Sequence, residues 1–364
     1  MHVSLLLALS SSWAGGSAST RVDGYLDPWI QVWAPSLSGS WSGERGEVQG
    51  GIVLDALSGA TQVVTADGLS GATTFTERRV GGVLGGTLNL GDQGTGSLRW
   101  ETSQESDYRS QVLAAGGSVE LWERATVSLG YGFNVDGLGS SDDAQLSERS
   151  LGHQVDLGWT HILGPTTALR ILGTGRTLSC DAGHGCLGSP YRYVALLDEQ
   201  GEPTSAVPGR NPDRLASAAA GLRLSQAVGS SVGVHAGYRF YADTWSVQGH
   251  TAELKVMTGL LGQRLFVTAR GRGSLQTGAS FYADDYALSD DLLVPGWRTS
   301  DRELSGLRAL QGGLELRWRL YAPGRLSQVD LFLGGDRGAW QYPDHSELPD
   351  RTAWMARGGI DVEL

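Results

Sequence analysis

Along residues 313–320, GLELRWRL, apolar and charged positions alternate without a break. Leu314, Leu316, Trp318 and Leu320 fall on one face of an extended chain, and Glu315, Arg317 and Arg319 on the other. An apolar face can pack on a core or on lipid, but charges this dense need water on their own side. The same period runs through most of the chain. Val127, Leu129, Tyr131 and Phe133 oppose Thr126, Ser128 and two glycines. Val155, Leu157 and Trp159 oppose Gln154, Asp156 and Thr160. Val232, Val234, Ala236, Tyr238 and Phe240 oppose His235, Arg239 and Tyr241. Leu265, Val267 and Ala269 oppose Arg264, Thr268, Arg270 and Arg272.

Two kinds of connection separate these runs. Short ones carry turn chemistry at Asp27-Pro28, Gly91-Asp92, Gly164-Pro165, Gly229-Ser230 and Ala322-Pro323-Gly324. Long polar ones cover about residues 58–74, 136–148, 179–212, 277–305 and 342–351. Short and long largely alternate, although 105–108 and 242–244 are brief on the long-loop side. Short turns at one end and long loops at the other are the layout of bacterial outer-membrane barrels. The expected fold is all-β: a transmembrane antiparallel β-barrel of about 16 strands, with 14 as the alternative. Pro28 and Pro35 blur the first hairpin, because proline cannot donate to a ladder. The last segment, where Trp354, Ala356, Ile360, Val362 and Leu364 alternate with Arg357, Asp361 and Glu363, is similar to the carboxy-terminal assembly signal of such barrels. It ends in Leu364 where that signal usually ends in an aromatic residue.

Composition narrows the choice. No apolar run of about 20 residues follows the amino-terminal segment, so strands must do the crossing. The 54 glycines come with only 11 prolines and no strict period, which excludes collagen. Twelve Trp and eleven Tyr suit interfacial girdles. A net charge of −11 argues against a nucleic-acid partner. Residues 1–18, with Leu5–Leu9 as apolar centre, resemble a signal peptide cut after Ala14 or Ala18, leaving 19–364 as one barrel domain. Expected partners are therefore outer-membrane lipid, the barrel-assembly machinery and a periplasmic or lipoprotein component, and the expected address is the bacterial outer membrane. The pattern fixes no oligomeric state.

Several stretches then resemble a known family: DALSGAT at 55–61, TFTERR at 74–79, ESDYRS at 105–110, SPYRYV at 189–194, YRFYADTWSVQGHTAEL at 238–254 and ASFYADDY at 279–286. In this order they are similar to the uncharacterised bacterial outer-membrane barrel family known as domain of unknown function 3570. The resemblance covers nearly the whole mature chain and implies an outer-membrane barrel. It brings no substrate, cofactor or catalytic residue. The segment around Cys180 and Cys186 departs from the family pattern.

Cys180 and Cys186, close together in an exported chain, read as a local disulfide; a metal site with His184 is the competing reading and lacks a fourth ligand. Charges of both signs fall on the expected lumen face: Arg239, Glu253, Lys255, Arg264, Arg270, Arg272, Glu315, Arg317 and Arg319, with Asp330, Arg357 and Asp361. Rings of arginine favour anions in a narrow pore. The alternative is a cross-strand ion-pair network that stiffens the barrel. Glu253 beside Lys255, and Glu315 beside Arg317, favour pairing within one strand. Arg239, Tyr241, Trp245 and His250 read either as a recognition surface at an outer hairpin or as belt residues around a tight turn. The paired acids Asp142-Asp143, Asp284-Asp285 and Asp290-Asp291 read as solvated loops, or as a divalent-cation or lipopolysaccharide-associated site. No G-x-S-x-G, H-E-x-x-H or P-loop occurs. His250 with Glu253, and His345 with Asp344 and Glu347, are the least implausible dyads, so the expectation is a non-enzyme with no catalytic residue, metal or cofactor.

Overall fold

The computed structural model describes residues 13–61, 64–65, 68–69, 73–139, 147–181, 185–187, 193–287, 296–320, 327–346 and 348–364. Sixteen strands close into one antiparallel barrel. They are β1 (Trp13–Leu26), β2 (Ile30–Gly43), β3 (Gly46–Thr61), β6 (Thr73–Asn89), β7 (Gly94–Gln104), β8 (Tyr108–Trp122), β9 (Ala125–Gly139) and β10 (Ser147–Gly164), followed by β11 (Thr167–Cys180), β14 (Arg214–Val228), β15 (Val232–Asp243), β16 (Gln248–Leu260), β17 (Leu265–Gln276), β19 (Leu307–Leu320), β20 (Gln328–Gln341) and β21 (Asp350–Glu363). Five further strands belong to the connections: β4 (Val64–Thr65), β5 (Gly68–Leu69), β12 (Tyr193–Leu197), β13 (Pro203–Pro208) and β18 (Asp285–Ala287).

Closure is made by β1 on β21, from Ser17 opposite Glu363 to Leu26 opposite Trp354. No strand of the barrel has an open edge, so its backbone groups pair from strand to strand, as hydrocarbon requires. Residues 13–18, read from the sequence as the end of a leader, stand in β1 and pair along β2, and Ser17 and Ala18 also share this seam. Pro35 lies inside β2; the ladder to β3 passes from Trp33–Ala56 to Ser36–Val53 around it, while β1 still pairs with it. The turns at Asp27-Pro28, Gly91-Asp92, Gly164-Pro165 and Gly229-Ser230 lie between strands as expected. Ala322-Pro323-Gly324 lies outside the described residues.

The alternation resolves into two faces. In β19, Leu310, Leu314, Leu316 and Trp318 are exposed outward, and Gln311, Glu315, Arg317 and Arg319 point in. Large apolar side chains cover the outside all the way round, including Leu84, Leu113, Leu157, Leu254 and Leu333. Wall strands run from 11 residues in β7 to 18 in β10, longer than the roughly 9–11 that a tilted crossing takes. The surplus rises at the loop end, where β3 and β6 pair out to Thr61 and Thr73, into a stretch expected as loop.

A lid sits at that end. Sequence reading treated 179–212 and 277–305 as loops, but they hold a small sheet of β13, β12 and β18, with β12 parallel to β18. β12 lies against β4, which comes from the β3–β6 connection across the mouth. The root of the lid is an apolar cluster of Leu178, Cys186, Trp245, Val247 and Ala279, packed by Phe281 and Leu304.

Candidate functional site

The inner wall carries the chain's concentrated chemistry. Register places neighbours on the same face, so inward residues can be followed from strand to strand. On one side, Asp336 of β20 is 1% exposed and takes Arg270 of β17 at 2.5 Å and Arg357 of β21. Glu315 lies 3.7 Å from Arg270 and 3.8 Å from Arg357. Asp330, 3% exposed, stands 3.3 Å from Arg319 and 3.7 Å from Arg317, and Arg317 also bonds Asp361. Arg317 and Arg319 cover the rings of Phe332 and Phe266. Two carboxylates this deeply buried are tolerable only because each meets at least two guanidinium groups.

The pairing skips a strand. Arg270, Gly313 and Asp336 stand in one row, and a Cβ at Gly313 would collide with the Asp336 carboxylate. Arg223, Gly237 and Glu253 form a second row; Glu253 crosses β15 to Arg223 at 2.8 Å, through the place a Gly237 Cβ would occupy. The absent side chain is what lets charges two strands apart meet. This corrects the expected in-strand pairing: Glu253 bonds Arg223 rather than Lys255, and Glu315 lies beside Arg270 and Arg357 rather than Arg317.

The other side of the wall is open. Arg170, Arg176, Arg239, Lys255 and Arg272 face inward, and among the described residues none of them makes an ion pair; Arg239 covers the Tyr241 ring at 5.8 Å. Two pairs of like charges stand directly opposite each other, Arg170 with Arg223 and Lys255 with Arg270. A cavity of about 510 Å³ opens beside them, lined by Arg223, Lys255, Arg270, Arg272 and Arg357 against only Glu253 and Asp336. Arg264 does not share this wall: it is exposed in the β16–β17 turn, after Leu261, Gly262 and Gln263, all at positive φ. Arg21, Arg223 and Asp336 were missed by sequence reading. Asp336 stands between Gly335 and Arg337 in a stretch with no apolar alternation; only its even spacing from Asp330 marks its face.

The lid root is built by Asp243, whose carboxylate accepts the Trp245 and Val247 amides at 2.8 and 3.0 Å around Ser246 at positive φ. This turn drives Trp245 into the cluster, where its indole donates to the Arg214 carbonyl and its ring meets Phe281 edge-on. The disulfide between Cys180 and Cys186 ties the first loop to the rim. His184 lies outside the described residues, as do Asp142, Asp143, Asp290, Asp291 and Glu347. His345 is paired with Asp284 at 2.9 Å, not with Asp344. Burial pushes the Asp284 carboxyl up, yet the Ser346 amide, the Tyr282 hydroxyl and the His345 charge hold it below the usual carboxylate range. His250 points outward beside Tyr238, and Glu253 points inward, so that dyad is parted by the wall. Glu77, Glu105 and Asp107 converge at the loop end of β6 and the β7–β8 connection. Arg79 lies 3.9 Å from Glu105, and three oxygens fall short of the six that calcium takes.

Residues 149–329 match the family described as "Protein of unknown function (DUF3570)". This stretch is a DUF3570 segment. It spans β11 through β19, and so holds the open wall and both lid loops. No curated protein matches the chain. Among solved structures, the chain is similar to Pseudomonas aeruginosa OccK7 (OpdD), with TM-score 0.51 and 10% identity over 98% of this chain and 99% of that one. It is also similar to P. aeruginosa OccK3 (OpdO), with TM-score 0.50 and 12% identity over 97% and 96%. The likeness is one of fold. The chain shares with these two proteins a closed antiparallel β-barrel fold.

Proposed function

We propose that this barrel is an outer-membrane channel that favours small anions, with the lid narrowing its mouth. The observation that carries the reading is the open wall. Like charges directly across a ladder destabilise a sheet, yet Arg170 faces Arg223 and Lys255 faces Arg270, with five cations and two carboxylates around one cavity. Arg223, Arg270 and Arg357 have carboxylate partners, but a wall selected only for stability would also pair or remove Arg170, Lys255 and Arg272. Facing water, they raise the local concentration of anions. The second reading, a closed structural or docking barrel, is favoured by β12 crossing to β4.

The test is single-channel recording of refolded protein in planar bilayers under a salt gradient. The expected result is stable steps with a reversal potential of anion sign, moved toward cations by Lys255→Glu with Arg272→Glu. Silence from inserted, folded protein would sink the channel and leave the closed barrel. Steps whose selectivity ignores both substitutions would sink the role of this wall.

A further inference from the structure

The outer face holds a second, separate pattern of charge. Among the described strand residues, the ionised side chains that point outward are Arg78, Arg109, Arg149, Arg214, Arg308 and Arg337, together with Asp350. All six arginines are exposed, and each lies in the loop-end part of its strand. None makes an ion pair, and Arg337 alone rests on an aromatic ring, Trp354 at 5.4 Å. Every ionised strand residue elsewhere points inward. The belt therefore runs along one rim of an otherwise apolar wall, on β6, β8, β10, β14, β19 and β20, and no described strand residue repeats it at the turn end.

Unpaired guanidinium groups at a lipid boundary need anionic partners from outside the chain. Their fork geometry suits phosphate oxygens. The one-sidedness points to the leaflet with the denser uncompensated phosphate charge, and long loops mark that side as the outer one. A groove of about 540 Å³ descends below Arg308, between Tyr238, His250 and Leu310, over a floor of Ala252 and Gly273. It is cationic at the top and mostly apolar below, the profile of a phosphorylated head over an acyl chain. We propose that the arginine belt binds the phosphate groups of an outer-leaflet phosphoglycolipid, with one acyl chain lying in the groove under Arg308. The inference rests on the barrel's membrane setting and is independent of whether the pore conducts.

The test titrates bisphosphorylated lipid A into the folded full-length protein in neutral-detergent micelles and follows tryptophan fluorescence. Phosphate-free lipid A and phosphatidylglycerol serve as the other two probes. The expected result is binding of the bisphosphorylated form at least about tenfold tighter than either, weakened by salt. Arg308→Gln and Arg337→Gln should each cost about fivefold, and Arg308→Lys should retain most of the affinity. Arg99→Gln, on the inner face of β7, should leave the lipid affinity unchanged. Equal binding of phosphate-free lipid A would overturn the belt's role. Equal binding of phosphatidylglycerol would overturn the outer-leaflet assignment. Heat-resistant electrophoretic migration of each variant shows that it is folded, and the lysine variant decides the matter if a glutamine variant is not.

Discussion

On β19, β20 and β21 the inward arginines are held between carboxylates and phenyl rings, whereas on β11, β14, β15 and β16 most face water with no carboxylate in reach. Both sides use the same side chain on the same kind of strand. The difference lies in the neighbours: Asp330, Asp336 and Asp361 supply acids to the first side, whereas the second has Glu253, Asp156 and Asp243, the last taken up by the amides of its own turn. Asp156 is taken up by Thr174 and Gln154. Ion pairing fixes the first wall, and the lid roots in the second, through Leu178, Leu215 and Tyr241. A stiff side and a charged, lidded side are a division of labour around one ring.

The largest way to break this contrast is Asp336→Asn. It would leave Arg270 and Arg357 with Glu315 as their one carboxylate, 3.7 and 3.8 Å away, and the wall should lose about 3 kcal/mol, since removing one partner of a buried pair strands the other. Urea unfolding of the protein in liposomes reads this; an unchanged midpoint would mean that the backbone ladder alone holds the wall. Replacing Cys180 and Cys186 together by serine comes next. The two cysteines are six positions apart in sequence, so chain entropy gives about 2 kcal/mol. The loss should be local, seen as faster proteolysis within 193–208 with the barrel's own unfolding unmoved; equal proteolysis would show that the apolar root suffices. The smallest effect is Lys255→Gln with Arg272→Gln. Stability should change by no more than about 0.5 kcal/mol, and toward stabilisation, because Lys255 faces Arg270. A loss the size of that for Asp336 would erase the distinction between the two walls.

Much of this architecture was legible in the chain. Strict alternation in 307–320 and 350–363 fixes which residues face lipid, and turn chemistry such as Gly91-Asp92 fixes where strands end. Sixteen strands follow from counting those runs. What escaped notice depends on distant register. Nothing local tells that Glu253 reaches past β15 to Arg223, or that His345 meets Asp284 across 61 residues. The lid sheet escaped because its strands are short and β12 pairs in parallel with β18, a contact between two separate loops. Trp245 reads as a belt residue by composition and is buried by a four-residue turn instead.

Gly313 and Gly237 give the abundance of glycine a meaning beyond flexibility. Each sits where a cation on one neighbour and an acid on the other must touch. A single methyl group there would redraw the electrostatic map of the lumen while leaving its formal charge untouched. In this barrel the circuit is drawn by the positions that carry no group at all.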